Sequence, residues 1–199
     1  MSAAPPFAAD ASSQAYPRKR FTREEVDQLL NSGFFVGQRC ELIDGDLVDK
    51  AGQMPPHAQA IRLMQHWLLS FLESGRVQVQ LPIEAAPEDR ERSVPEPDVA
   101  VLREFKSEYN HRHPDGGEVL LVVEVADTSA AFDLSRKAVL YARSGVGEYW
   151  VLDLTRGVLV VHRQPDGAQY RLTQLYSEDE MVAMEGRAER VRVRELLPR

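Results

Sequence analysis

Glu124 interrupts the apolar run "LLVVEVA". A carboxylate inside a buried strand costs several kcal/mol or more if nothing neutralises it, so the position calls for an arginine, a lysine, a proton or a metal ion. Two further residues belong to the same question. Asp98 follows Pro97 at the start of the apolar "VAVL", and Lys137 lies on the helix expected after the strand that carries Glu124. At about 100° per residue, Ala130, Leu134, Ala138 and Tyr141 set the apolar stripe of that helix. Lys137 then sits at the edge of the stripe beside Tyr141, while Arg136 and Arg143 face the opposite side. A cation is thus directed towards a sheet bearing two acids. Each residue also has a plainer structural explanation: Asp98 as a turn cap, Glu124 and Lys137 as a buried ion pair, Lys137 as a chain passing the core edge.

The elements that must hold these residues can be read from pattern. "FTREEVDQLLNSG" pairs Thr22 with Glu25 three residues on, a capping box, and predicts a short helix ending at Gly33. "CELIDGDLVDK" predicts a hairpin about Asp44-Gly45. Pro55 and Pro56 open the longest helix, where Ile61, Met64, Leu68 and Leu72 recur at helical spacing up to Gly75. "RVQVQLPIEA" alternates and predicts a strand with one exposed face. "DVAVL" and "EVLLVVEVA" are wholly apolar, as central strands are. A helix is expected over roughly 131–144, capped by Gly145. "EYWVLDL", "GVLVVHRQ" and "AQYRLTQL" follow as an antiparallel meander with turns at Arg156-Gly157 and Asp166-Gly167. Helix–strand alternation with a strand-rich tail predicts an α/β (α+β) domain, a mixed central sheet flanked by helices.

Bulk properties narrow the class. The 199 residues suit one domain, expected over 19–199, behind an Ala-, Pro- and Ser-rich leader over 1–18 that reads as flexible. No apolar run approaches the ~20 residues of a membrane span, and the N-terminus lacks the order of a secretory signal. Cys40 is the sole cysteine, which excludes an internal disulfide and a thiolate zinc cluster. A cytoplasmic location is the resulting expectation. The net charge of −7 argues against gripping nucleic acid through bulk electrostatics, and leaves room for a local basic rim with a divalent metal.

"VPEPDVAVL" followed by "VVEVADTSAAFDLSRKAVLYARSGVGEYWVLDL" resembles the Uma-type endonuclease family of the PD-(D/E)xK restriction-endonuclease-like superfamily. "ELIDGDLV" and Pro56-His57 fit the same family, and the resemblance spans roughly residues 20–165. It implies a restriction-endonuclease-like fold carrying a metal-dependent phosphodiesterase site. Pro97-Asp98 would stand for the "PD" and Glu124 for the second acid. The usual lysine position two residues on is Ala126 here, and Lys137 occupies the place on the following helix where Uma-type sequences carry it. Glu41 matches a further acid that can extend the metal site, and His57 is a weaker match. Mg²⁺, with Mn²⁺ as the substitute ion, suits Asp98 and Glu124 because a hard cation is typically held by one or two carboxylates plus waters and substrate phosphate. The ion would polarise the phosphate and activate water, with Lys137 orienting the attack.

Other candidates read more plainly. Asp127, Thr128, Ser129 and Asp133 suit a loop and helix entry, with Asp133 able to support the site from behind. "EYNHRHP" reads as a solvated loop whose His111, Arg112 and His113 could touch a phosphate backbone. Tyr149 and Trp150 read as core. "ERVRVREL" reads as an edge strand or a small interface patch. The functional expectation is a Mg²⁺-dependent endonuclease acting on DNA, as a homodimer suited to duplex symmetry. The alternatives are a non-catalytic binding or assembly protein on the same fold, where Lys137 alone neutralises Glu124, and a relative acting on RNA or a small phosphodiester.

Overall fold

The computed structural model describes residues 18–50 and 54–199; the expected leader lies outside the described residues, Arg18 apart. Helix α1 (Arg23–Asn31) starts as its sequence requires. The Thr22 hydroxyl accepts from the Glu25 N–H and the Glu25 carboxylate accepts from the Thr22 N–H. Strands β1 (Cys40–Ile43) and β2 (Asp46–Asp49) form an antiparallel hairpin. Asp44 and Gly45, with φ of 49° and 80°, occupy its turn. Both central residues of a type I′ turn need positive φ, which explains the Asp-Gly pair.

Helix α2 (Pro55–Leu69) carries proline in its first turn, where no intrahelical donor is lost. It ends at Leu69, short of Gly75, because the Ser70 N–H closes onto the Leu68 and Trp67 carbonyls. Leu72 is still buried although it lies past the helix. A six-stranded sheet follows in the spatial order β3 (Val77–Val79), β4 (Val99–Leu102), β5 (Val119–Ala126), β6 (Glu148–Asp153), β7 (Val158–Asp166), β8 (Gln169–Tyr176). Strand β3 is shorter than the alternation of "RVQVQLPIEA" predicts, because Gln80 turns the chain out of the ladder at φ 52°. The β5–β6 pair is parallel and the other neighbours are antiparallel, so the sheet is mixed. The meander β6–β7–β8 lies where it was expected. The "ERVRVREL" segment supplies an edge strand, β10 (Arg190–Arg192), paired with β9 (Met181–Ala183) apart from the main sheet, and helix α5 (Val193–Leu196).

A parallel pair needs a crossover, and here it is helical. The run consists of α3 (Ala130–Phe132), a π-helical stretch over Asp133–Lys137, and α4 (Ala138–Arg143). Each face of the sheet has its own core. Ala60, Ile61, Met64 and Leu68 of α2 pack on the odd-numbered β5 residues Leu121, Val123 and Val125, together with Val191 and Leu196. Trp67 stacks on Trp150 at 5.7 Å and ties α2 to β6. Each large apolar side chain so buried contributes about 1.5–3 kcal/mol. The opposite face packs Val122 and Ala126 against Tyr141, Tyr149 and Val151 beneath the helical crossover. Glu124 has the parity of this second face, so its side chain must meet the crossover helix.

Candidate active site

The β4–β5 register pairs Val99 with Val123, and one step along it sets Asp98 opposite Glu124. Their side chains share a face at one end of the sheet, where a cavity of about 200 Å³ opens. Asp98, Glu124, Lys137, Glu41 and His57 all line this cavity. Asp98, Glu124 and Lys137 are each only 3% exposed, and Glu41 is equally buried, so the local dielectric is low and every charge needs a partner.

Lys137 is the hub. Its ammonium lies 2.9 Å from Glu124 Oε1, 2.7 Å from Glu41 Oε1 and 3.8 Å from Asp133 Oδ1. A regular helix would leave Lys137 at the margin of the apolar stripe. The π-helical stretch changes that: the Ala138 N–H donates to the Asp133 carbonyl five residues back, and Lys137 and Asp133 are both buried. Such single-turn widenings of a helix recur at functional positions. Burial alone would lower the affinity of Lys137 for its proton, but Glu124, Glu41 and Asp133 outweigh it, so the ammonium stays charged. Burial pushes the Glu124 carboxyl up to about 7 against the pull of Lys137. The two directions have different causes: the neighbouring acids hold the proton on Lys137, whereas burial itself raises Glu124.

Glu124 Oε1 also accepts from the Tyr141 hydroxyl at 2.6 Å. Both described donors therefore converge on Oε1, and Oε2 carries no described hydrogen bond. Asp98 is divided in a similar way. Its Oδ2 accepts from the Val125 N–H at 2.9 Å and lies 3.1 Å from His57 Nε2. Its Oδ1 has looser company, Gln80 Nε2 at 3.5 Å and Lys50 Nζ at 3.8 Å. Burial would raise the Asp98 carboxyl; the His57 hydrogen bond, the Lys50 charge and the Val125 N–H together hold it below the ordinary range. Glu41 is committed on both oxygens, Oε1 to Lys137 and Oε2 to the Glu96 N–H at 3.2 Å. It anchors the loop before Asp98 and holds Lys137.

Several expectations concerned residues that turn out to lie elsewhere or to do more. Arg112 is bound by Glu118 and Glu108, and His111, Arg112 and His113 do not line the cavity. Asp133 does reach the site, accepting from the Ser129 hydroxyl at 2.5 Å. Tyr149 and Trp150 are core residues. Sequence reasoning missed Tyr141, counted only as part of an apolar stripe, and missed Lys50 and Gln80 altogether. A tyrosine where phenylalanine would fill the stripe equally well was the available signal for the first. Nothing local marks the other two.

Among the described residues, no group of three or more His, Cys, Asp or Glu side chains forms a ready-made metal cage. The donor set fits a different kind of site. Asp98 Oδ1 and Glu124 Oε2 are carboxylate oxygens without a close hydrogen-bond donor, from facing residues on a shared cavity. That suits a hard cation that keeps its waters and takes the rest of its shell from substrate.

A mixed sheet with a helical crossover on one face and paired acids at one strand end defines a nuclease-like α+β fold. The chain is similar to a "putative nuclease belonging to DUF820" from Anabaena variabilis ATCC 29413, with a TM-score of 0.66 at 15% identity, covering 88% of this chain and 97% of that one. Residues 23–190 match the Uma2 family, described as "Putative restriction endonuclease", and the chain belongs to that family. No curated protein matches it. Among the described residues, no helix is long and apolar enough to cross a membrane.

Proposed function

We propose that this protein is a divalent-cation-dependent endonuclease that hydrolyses phosphodiester bonds in DNA. The observation that carries the reading is the facing pair Asp98 and Glu124, both lining the cavity and each with an oxygen that has no close donor, beside a buried lysine shared among three carboxylates. Neutralising Glu124 alone, as in a non-catalytic protein, needs no second and third carboxylate on Lys137, and that sharing supports the catalytic reading. The surplus of acid calls for another cation. Asp98 and Glu124 would hold Mg²⁺ or Mn²⁺. Such an ion supplies Lewis-acid polarisation of the phosphate and a more acidic water.

The chain's own groups do the remaining work. An ammonium has three donors; Glu41 and Glu124 take two of those of Lys137, which leaves one for the attacking water or a phosphate oxygen. Tyr141 and Lys137 fix the Glu124 carboxylate from one side, and Val125 and His57 fix Asp98. In the reaction a water oxygen bonds to phosphorus as the bond to the departing sugar oxygen breaks, giving a phosphate monoester and a free hydroxyl. Arg39 and Lys50 on the cavity wall are cations at its rim, although Glu96 and Asp98 lie beside them.

The test is cleavage of supercoiled plasmid by purified protein with Mg²⁺ or Mn²⁺ against EDTA, beside Glu124→Gln and Lys137→Ala. Losses of roughly 10²–10³-fold are expected for each variant, the scale of a lost transition-state donor. Cleavage that persists in EDTA, or in Glu124→Gln at the parent rate, overturns the reading. Cleavage of RNA but not DNA moves the substrate. A homodimer belongs to the same proposal, and a monomer in sedimentation at micromolar concentration removes it.

A further inference from the structure

Lys50, at the end of the β1–β2 hairpin, is a second lysine in the cavity, and its surroundings differ from those of Lys137. Lys137 is wedged between two carboxylates at hydrogen-bond distance. The Lys50 ammonium donates to the Glu96 carbonyl, but its two carboxylate neighbours, Glu96 Oε1 and Asp98 Oδ1, both lie at 3.8 Å. That is beyond hydrogen-bond length, so the attraction is Coulombic and sets no fixed geometry. Its side chain is 12% exposed against 4% for Lys137, so it sits at the edge of the cavity. The Asp98 oxygen it faces is the one not covered by Val125 and His57.

Building on the nuclease reading above, we propose that Lys50 is an exchangeable counter-cation: it neutralises Asp98 while no divalent ion is bound, and moves onto the substrate phosphate when one is. Two cations cannot share Asp98 Oδ1 without mutual repulsion. The four-carbon stem of lysine lets the ammonium move at little cost, since among the described residues its one hydrogen bond is to a main-chain carbonyl. Arg39 also lines the cavity, but it is ion-paired with Glu96 and hydrogen-bonded to Gln80, so it is less free than Lys50 to change partners. Lys50 is then a positioning residue for the cation and a direct contact for the phosphate.

The experiment is titration calorimetry of Mn²⁺ into the full chain, for wild type, Lys50→Met and Lys50→Arg, with plasmid cleavage in parallel. Lys50→Gln replaces the methionine variant if the latter does not fold. Removing the competing charge should tighten Mn²⁺ binding about tenfold, a change of ~1.4 kcal/mol, while the KM for DNA rises. Lys50→Arg should keep the parent affinity. Mn²⁺ uptake by the wild type that Lys50→Met leaves unchanged or weakens overturns this inference alone. Uptake by neither protein overturns the nuclease reading and this inference with it.

Discussion

Replacing Lys137 with methionine keeps the unbranched stem of the side chain and removes an ammonium that Glu41, Glu124 and Asp133 share at 2.7, 2.9 and 3.8 Å. Removing one partner of a buried ion pair costs about 3–5 kcal/mol, because the remaining charge has no water to turn to. For a chain of 199 residues each kcal/mol lowers Tm by roughly 2–4 °C, so a fall of about 6–20 °C is expected at pH 8. The orphaned carboxylates can relieve the strain by taking up protons. Their folded-state pKa values then lie above the unfolded ones, so the stability they contribute is present at low pH and is lost as pH rises through the folded values. The deficit against wild type should therefore shrink between pH 8 and pH 5. Thermal melts in EDTA at the two pH values measure it, with Glu124→Gln/Lys137→Met expected to regain part of the loss at pH 8. A Lys137→Met melt equal to wild type at pH 8, or a deficit that ignores pH, would refute the account of Lys137 as a shared counter-ion.

Three further outcomes are expected. Tyr141→Phe removes a 2.6 Å hydrogen bond to a buried carboxylate and should cost about 1.5–3 kcal/mol, read as a lower melting temperature in EDTA; an unchanged melt would contradict it. Gly116→Ala would set a Cβ 2.4 Å from the Ser144 carbonyl oxygen, so the loop before β5 must shift at about 1–3 kcal/mol, and a neutral effect in chemical denaturation would show that the approach is looser. Glu84, held below the ordinary carboxylate range by Arg23 and Arg90 despite burial, contributes stability that is present above pH 4.5 and lost as pH falls through its folded value. Glu84→Gln should therefore lower stability at pH 7 and narrow its gap to wild type at lower pH, and parallel urea curves with a constant gap would refute this.

The capping box of α1, the Asp-Gly hairpin and the apolar β5 with its misplaced acid were legible because each rests on neighbours in sequence, where propensity, turn chemistry and alternation act. The early ends of β3 and α2 were not, since a positive φ at Gln80 and a terminal carbonyl contact at Ser70 leave no mark on hydrophobic period. The site divides along the same line. That Asp98, Glu124 and Lys137 carry unusual charge for their surroundings follows from residue type against local pattern alone. Tertiary structure decided the rest: the strand register that turns Asp98 towards Glu124, the widened helix that buries Lys137, and the placing of Glu41, Tyr141 and Lys50 around them. Such contacts join residues up to 96 positions apart, as Glu41 and Lys137 are, and burial sets their strength. No window of sequence holds either the distance or the dielectric.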